Sequence, residues 1–166
     1  MAGYHKALGV DHPDTLRIVN NMAVLFDNQG QHEKALEWYE RALAGHEKPW
    51  GVDHSDTLCI VNNMASIFCK QEQCEKALQW YERALVGAEK ALGVDHPDTV
   101  ATVNNMASIF RKQGQHVKAL EWYEWALVGK EKTLGVDPPD TLTTVNDMAS
   151  VFRSQGQDEK GLRLYE

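Results

Sequence analysis

The chain has 166 residues, and 24 acidic against 17 basic side chains give it a net charge of -7 at neutral pH. This charge argues against nucleic acid or an anionic membrane as the main partner. No apolar stretch approaches the roughly 18 residues of a transmembrane helix, and no signal peptide pattern is present. We therefore expect a soluble, cytoplasmic protein.

The potentially reactive side chains form no recognisable catalytic or metal site. Cys59, Cys69 and Cys74 fall in one part of the chain, and an odd, unrepeated set does not form a disulfide framework. Their spacing also fits no zinc pattern. The sequence contains no phosphate loop and no nucleophile elbow. We predict a protein that is not an enzyme and that has no metal and no cofactor.

A fixed period of 42 residues runs through the whole chain. It is marked by Val19, Val61, Val103 and Val145, and again by Tyr39, Tyr81, Tyr123 and Tyr165. No insertion interrupts the period. Such a period is typical of a solenoid in which one supersecondary unit is stacked several times.

Each unit predicts two amphipathic helices, which we call helix A and helix B. In the third copy, helix A carries apolar residues at steps of three and four, namely Val100, Val103, Met106, Ala107 and Phe110. Helix B does the same with Ala119, Leu120, Trp122, Tyr123, Ala126 and Leu127. This spacing places each set on one helix face. Short connections then make the helices antiparallel pairs.

Turn and cap residues predict where these helices begin and end. Gly114 can take the left-handed conformation that ends helix A, and Gly93 ends a helix B. Asp95, Pro97 and Asp98 predict the next helix start, with a capping carboxylate, a preset φ and negative charge at the positive helix end.

Three departures from the repeat predict local changes. Glu72 replaces a turn glycine and should strain the turn or alter its shape at a cost of about 1 kcal/mol. Pro49 should end the first helix B near His46 or Glu47. Gly161 replaces an alanine and should weaken the last helix B by roughly 1 kcal/mol.

The tryptophans of helix B share its apolar stripe. For this reason Trp38, Trp80 and Trp122 are predicted to pack between repeats rather than to contact a ligand. Trp125 stands where the first two copies have arginine, so we expect it to be exposed.

The small, aromatic and glycine positions of the unit resemble the tetratricopeptide repeat. In the third copy these positions are Ala107, Phe110, Gly114, Ala119, Tyr123 and Ala126. The Asn-Asn pair before Met-Ala and the LGxDHPDT connector are more similar to the kinesin-light-chain subtype. The sequence motifs NNMA and ALEWYERAL are most similar to the C-terminal repeat arrays of fungal signalling ATPases of the NLR-like kind, which carry a NACHT or NB-ARC domain. The resemblance implies an all-α, right-handed superhelix of antiparallel helix pairs.

Four repeats and a stub account for the chain. The predicted boundaries are 1–8 for the end of a preceding helix B, then 9–50, 51–92, 93–134 and 135–166, the last truncated in helix B. We expect a piece of a longer protein, because it begins and ends inside a unit. Open apolar ends then suggest head-to-tail self-association, with a monomer whose ends fray as the alternative.

The resemblance implies that the A helices line a concave groove. The candidate groove residues are Asn21, Asn63, Asn105 and Asp147, a second row Asn20, Asn62, Asn104 and Asn146, the serines Ser66, Ser108 and Ser150, and the cations Arg111, Lys112 and Arg153. Side-chain amides donate and accept, so they can bond the backbone of an extended peptide. Alternatively, the asparagines only fix the stacking of repeats.

The charges of the groove and its function leave several interpretations. Three cations at its C-terminal end suggest an acidic peptide, or an ordinary solvated surface. We expect a non-catalytic scaffold that binds protein or extended peptide, as the sensing array of a fungal NLR-like protein. The alternatives are a kinesin-light-chain-like cargo adaptor and an architectural array that only self-associates.

Overall fold

The computed structural model describes residues 12–134 and 138–165. In these residues the helices are α1 (Pro13–Asn28), α2 (His32–Trp50), α3 (Ser55–Lys70), α4 (Cys74–Leu92), α5 (Pro97–Lys112), α6 (His116–Leu134), α7 (Pro139–Ser154) and α8 (Asp158–Leu162), followed by a 3₁₀ turn at Arg163–Tyr165. The described part of the chain contains no strand, and the predicted all-α class is confirmed. The stub predicted at 1–8 lies outside the described residues.

The chain divides into two compact units, unit 1 (Met1–Gly87) and unit 2 (Ala88–Glu166). In unit 1, α1 packs on α2, and α2 packs on α3. In unit 2, α5 packs on α6, α6 on α7, and α7 on α8. Within each unit, an A helix therefore contacts its own B helix, and that B helix contacts the following A helix.

Histidine, not aspartate, caps the first three A helices. His96 is the N-cap residue of α5, and its Nδ1 accepts the backbone N–H of Asp98 at 3.2 Å. His12 and His54 make the same bond at α1 and α3. The predicted capping carboxylate, Asp95, instead pairs with Lys132 at 3.1 Å. An unprotonated ring nitrogen is a good acceptor. His96 lies one residue closer to the helix than Asp95 does, so its ring reaches a backbone N–H of the first turn that has no partner within the helix.

The A-to-B turn keeps one conformation with and without glycine. Gly30, Gly114 and Gly156 have φ of 72°, 73° and 69°, as predicted. Glu72 has φ 61° and keeps the same hydrogen bond, from its N–H to the carbonyl of Cys69 at 3.2 Å. Of the two predicted outcomes, the strained turn is the one observed.

The prediction that Pro49 ends the first helix B is wrong, because α2 continues to Trp50. Pro49 removes one hydrogen bond and crowds the carbonyl of Gly45, but it lies in the last turn, so only one helical residue follows it. The N–H of Gly51 donates to the carbonyl of Glu47 at 3.0 Å and closes the turn. At the other end of the chain, the helix containing Gly161 ends at Leu162 and continues as the 3₁₀ turn.

The tryptophans pack on phenylalanines of their own repeats. The ring centroids are 5.9 Å apart for Phe26 and Trp38, 6.2 Å for Phe68 and Trp80, and 5.6 Å for Phe110 and Trp122. These tryptophans are half-buried, and their ring contacts lie within repeats rather than between them. The predicted exposure of Trp125 is wrong, since this half-buried ring lies 5.6 Å from that of Trp122.

Glycines in helix B bring it close to helix A of the same repeat. A Cβ built on Gly45, Gly87 or Gly129 would lie 2.2 to 2.4 Å from a side-chain methyl of Leu16, Leu58 or Val100, respectively. Real Cβ contacts are never this short. The glycines therefore fix how deeply the first A-helix turn packs in each repeat.

Candidate functional site

In unit 1, a cavity of about 300 Å³ opens between consecutive A helices. Its lining includes Arg17 and Asn20 of α1, His46 and Trp50 of α2, and Asp56 and Cys59 of α3. Of these residues, Asn20 is one of the candidate groove residues named from the sequence. Helix B contributes His46 and Trp50, which lie in its C-terminal half.

Polar atoms without a partner line this cavity. His46 is only 6% exposed, and neither ring nitrogen has a hydrogen-bond partner in the described structure. The same holds for Oδ1 of Asn20. Burial lowers the pKa of His46, and Asp56 opposes this while His54 adds to it, so the imidazole is neutral at pH 7.

The charged side chains at this cavity are mainly acidic. The guanidinium of Arg17 donates to a carboxylate oxygen of Asp14 at 3.3 Å, so these two charges compensate. Asp56 adds a further carboxylate. The ring of Trp50 lies against that of His46, with centroids 4.6 Å apart. The cavity therefore combines acceptors, a net negative charge and an aromatic wall.

Unit 2 contains a cavity at the equivalent place, with a volume of about 380 Å³. Asn104 and Asn105 of α5, Lys130 of α6 and Asp140 of α7 line it. Here the polar atoms are paired. The Nζ of Lys130 donates to the carbonyl of Asp140 at 3.0 Å and to the hydroxyl of Thr144 at 2.8 Å. Thr144 in turn donates to Oδ1 of Asn104 at 2.8 Å.

This chain of bonds gives Asn104 a structural role. Through Thr144 it connects α5 to α7, which are consecutive A helices. Burial lowers the pKa of Lys130, while Asp140 and Asp147 oppose that shift. The bond from Thr144 to Asn104 joins consecutive A helices, which is the contact that the stacking interpretation of the second asparagine row requires.

Asp147 finds its basic partner inside the protein. Its carboxylate lies 3.8 Å from the guanidinium of Arg111, which also donates to the hydroxyl of Tyr123 at 3.4 Å. Burial raises the pKa of Asp147, and Arg111 and Lys130 counteract it. One of the three cations expected to attract an acidic peptide is thus compensated. Lys112 and Arg153 are exposed.

Two of the candidate serines, Ser66 and Ser108, hydrogen-bond buried tyrosines. The hydroxyls of Ser108 and Tyr123 are 2.9 Å apart, and Ser66 bonds Tyr81 in the same way. Burial raises the pKa of both tyrosines, and the serine bond opposes this. Ser150 is half-buried. These hydroxyls therefore contribute to the packing of helix A on helix B.

The remaining asparagines differ in exposure. Asn21 is exposed, Asn62, Asn63 and Asn105 are half-buried, and exposed Asn146 accepts the hydroxyl of Tyr165 at 2.7 Å. Asn63 also hydrogen-bonds Tyr39 of the preceding repeat. Of the two rows, the structure places Asn20 in the first cavity and Asn104 and Asn105 in the second.

Sequence reasoning missed the contribution of helix B to both cavities. His46, Ala88 and Lys130 occupy one position of the 42-residue unit. The sequence did contain a signal, because this position carries imidazole, methyl and ammonium groups in otherwise similar copies.

No helix of the described residues is long and apolar enough to cross a membrane. Within the same residues, no three His, Cys, Asp or Glu side chains form a group suited to a metal.

A model of the family described as tetratricopeptide repeat matches residues 1–48, 56–132 and 99–166. The chain belongs to the tetratricopeptide repeat family. Proteins of this family generally act as scaffolds for protein–protein interaction and are generally not catalytic. No curated protein matches the chain.

Several solved structures share the fold of this tetratricopeptide array. A putative kinesin light chain from Podosopora anserina with nearly identical TPR-like repeats is 25% identical, with a TM-score of 0.79 over 92% of this chain and 72% of that one. BtubC (BKLC) from P. vanneervenii is 24% identical, with a TM-score of 0.81 over 90% and 60%. A Rap protein complexed with Competence and Sporulation Factor is 15% identical, with a TM-score of 0.77 over 92% and 41%.

Proposed function

We propose that each unit binds an extended segment of a partner protein along the face formed by its two A helices. The observation that carries this proposal is the presence of a cavity between consecutive A helices in both units. In each unit, helix A side chains that the sequence assigned to a groove line this cavity. A purely structural face would instead be filled by packing.

The asparagines supply the contacts to the partner backbone. Asn21 is exposed and Asn105 borders a cavity, so their amides can donate to and accept from a peptide bond. Packed helices lie about 10 Å apart, and an extended chain advances about 3.3 Å per residue. Consecutive A helices therefore contact every third residue of the partner, and its side chains reach into the cavities between them.

A peptide array tests this function. The protein and the variant Asn21→Ala/Asn63→Ala/Asn105→Ala are applied to immobilised nine-residue peptides of diverse sequence, after both have been shown to melt alike. We expect binding by the protein and at least a tenfold loss in the variant, about 1.4 kcal/mol. Gln79→Ala, an exposed change on helix B, serves as the control. Equal binding by all three proteins would show that the A-helix face is not the site.

The parent protein that we propose is a fungal NLR-like signalling ATPase, in which the array senses the ligand in the cytoplasm. Its support is the resemblance of the repeat sequence to such arrays. A kinesin-light-chain-like adaptor is the alternative, and the structural similarity to a putative kinesin light chain favours it. The coding sequence around this chain decides between them, since only the first requires an upstream nucleotide-binding domain.

Self-association and preference for an acidic partner stay predictions. Light scattering over a concentration series tests the first, and a constant monomer mass would exclude it. The case for an acidic partner is weakened because Arg111, one of the three cations behind it, pairs with Asp147.

A further inference from the structure

We propose that the cavity of unit 1 beside His46 binds the basic side chain, lysine or arginine, of the partner segment. This inference rests on the proposed function and specifies one contact of it. Its evidence is an internal comparison, because in unit 2 the polar atoms of the equivalent cavity are paired with one another.

The two cavities are built from equivalent positions that lie two repeats apart. Asn20 corresponds to Asn104, Asp56 to Asp140, Ile60 to Thr144, and His46 to Lys130. In unit 2, the ammonium of Lys130 reaches the first turn of the following A helix and, through Thr144, connects to the asparagine. The repeat therefore provides a place for an ammonium group between two A helices.

Unit 1 has kept this cavity but lacks the lysine and the hydroxyl that pair its polar atoms in unit 2. His46 is shorter than lysine, and Ile60 has no hydroxyl to donate to Asn20. As a result, Oδ1 of Asn20 and both nitrogens of His46 are buried without a partner in the described structure. A buried polar group without a hydrogen bond is unfavourable, so a ligand that donates to these atoms recovers that loss on binding.

The charges select a cation over an anion. Asp14 and Asp56 border the cavity, and its one cation, Arg17, already pairs with Asp14. An acidic side chain would face both carboxylates and would offer no donor to Oδ1 of Asn20. A basic side chain supplies donors, and its aliphatic stem can pack against Trp50, which lines the cavity. The volume of about 300 Å³ accommodates one long side chain.

The chain offers a matched variant that should compete with the ligand. In His46→Lys, the new ammonium takes the place that Lys130 takes in unit 2, so the protein supplies its own cation to the site. His46→Ala is the second variant, since Ala88 stands at this position in the next repeat and shows that the helix tolerates it. His46→Ala widens the cavity and leaves Asn20 and the carboxylates available.

The experiment compares nine-residue peptides in which one position carries lysine, arginine, norleucine or glutamate. We expect the protein to bind the lysine and arginine peptides at least tenfold better than the norleucine peptide. His46→Lys should lose this preference yet still bind all peptides, and His46→Ala should keep it. The inference would be overturned if the four peptides bound in the same order wherever the varied residue stood, or if His46→Lys kept the preference for a basic residue. Either result would leave the proposed function intact.

A small probe separates the two proposals if no peptide binds. N-acetyl-lysine methylamide is titrated into the protein while the indole N–H signal of Trp50 and the ring signals of His46 are followed by NMR. We expect shifts that the norleucine compound does not produce and that are absent for the indole in His46→Lys. Such shifts without peptide binding would support a site for a basic side chain and refute peptide binding along the A helices. Equal responses to both compounds would refute the site for a basic side chain.

Discussion

The ammonium of Lys70 lies 2.9 and 2.8 Å from the two carboxylate oxygens of Asp27, so it connects the second A helix to the first. The Asp27 carboxylate is only 15% exposed, whereas the Lys70 side chain is about half exposed. We expect Lys70→Met to lower the free energy of unfolding by about 1 kcal/mol or less. Urea unfolding measures the change. The difference should shrink in 1 M salt, and a salt-independent loss would point to packing instead.

Removing the hydroxyl of Thr144 should destabilise unit 2. In Thr144→Val, Asn104 loses its donor and Lys130 loses an acceptor, all at a fully buried residue. We expect a loss of about 1–2 kcal/mol in denaturant unfolding. Thr143→Val is the matched control, because exposed Thr143 bonds the carbonyl of Pro139 in its own helix. Equal effects of the two changes would contradict the role of the chain of bonds.

Adding a methyl group at Gly129 should destabilise the protein, although alanine is the better helix former. Helix propensity alone predicts a gain of about 1 kcal/mol. The new Cβ would lie 2.4 Å from a methyl of Val100, and such overpacking costs about 1–3 kcal/mol. The melting temperature of Gly129→Ala should therefore fall. The double variant Gly129→Ala/Val100→Ala should recover part of the loss, and no recovery would contradict this explanation.

Glycine at position 72 should stabilise the A-to-B turn of the second repeat. Glu72 has a φ of 61°, which costs about 1–2 kcal/mol for a residue with a Cβ. Glu72→Gly removes this cost, but the greater conformational freedom of glycine in the unfolded chain offsets part of the stabilisation. We therefore expect the free energy of unfolding to rise by about 0.5–1 kcal/mol. Calorimetry measures it. Gln71→Gly, at a φ of -84°, should bring only the entropic loss.

Acid should weaken the fold partly through His46. Burial lowers its pKa from the usual 6.5, so below that pH the unfolded chain binds a proton that the folded chain does not. Its contribution to stability is thus full above pH 6.5 and decreases as the pH falls. Burial is the main cause of this shift in pKa, Asp56 on α3 opposes it, and His54 adds to it.

The pH dependence of unfolding between 7.5 and 5 tests this point. His46→Ala should unfold with a shallower dependence than the unchanged protein, because other groups titrate alike in both. Parallel curves would show that His46 takes up its proton equally in the folded and unfolded chains.

Periodicity predicted the helices well because their signals are local. Apolar spacing placed the helices, and Gly30, Gly114 and Gly156 placed the turns. The errors arose where neighbouring groups compete or tertiary contacts decide. Both Asp95 and His96 could cap α5, and geometry selected the histidine. The exposure predicted for Trp125 ignored the ring of Trp122 beside it.

The candidate site was predicted only in part, because three helices from two repeats build each cavity. The amides of Asn20 and Asn104 could be named from helix A alone. Their different environments could not, since these depend on His46 or Lys130 from helix B and on Ile60 or Thr144 from the next helix A. A residue that lacks a partner can be recognised only when all its neighbours are known.

The shared depth of packing at Gly45, Gly87 and Gly129 has an evolutionary consequence. Unequal recombination between copies would exchange whole 42-residue units without disturbing the contact of these glycines with the A helices. The same exchange would move a histidine, an alanine or a lysine into a given cavity. An array that exchanges units in this way changes the side chain beside a cavity in one genetic event, while its scaffold stays the same.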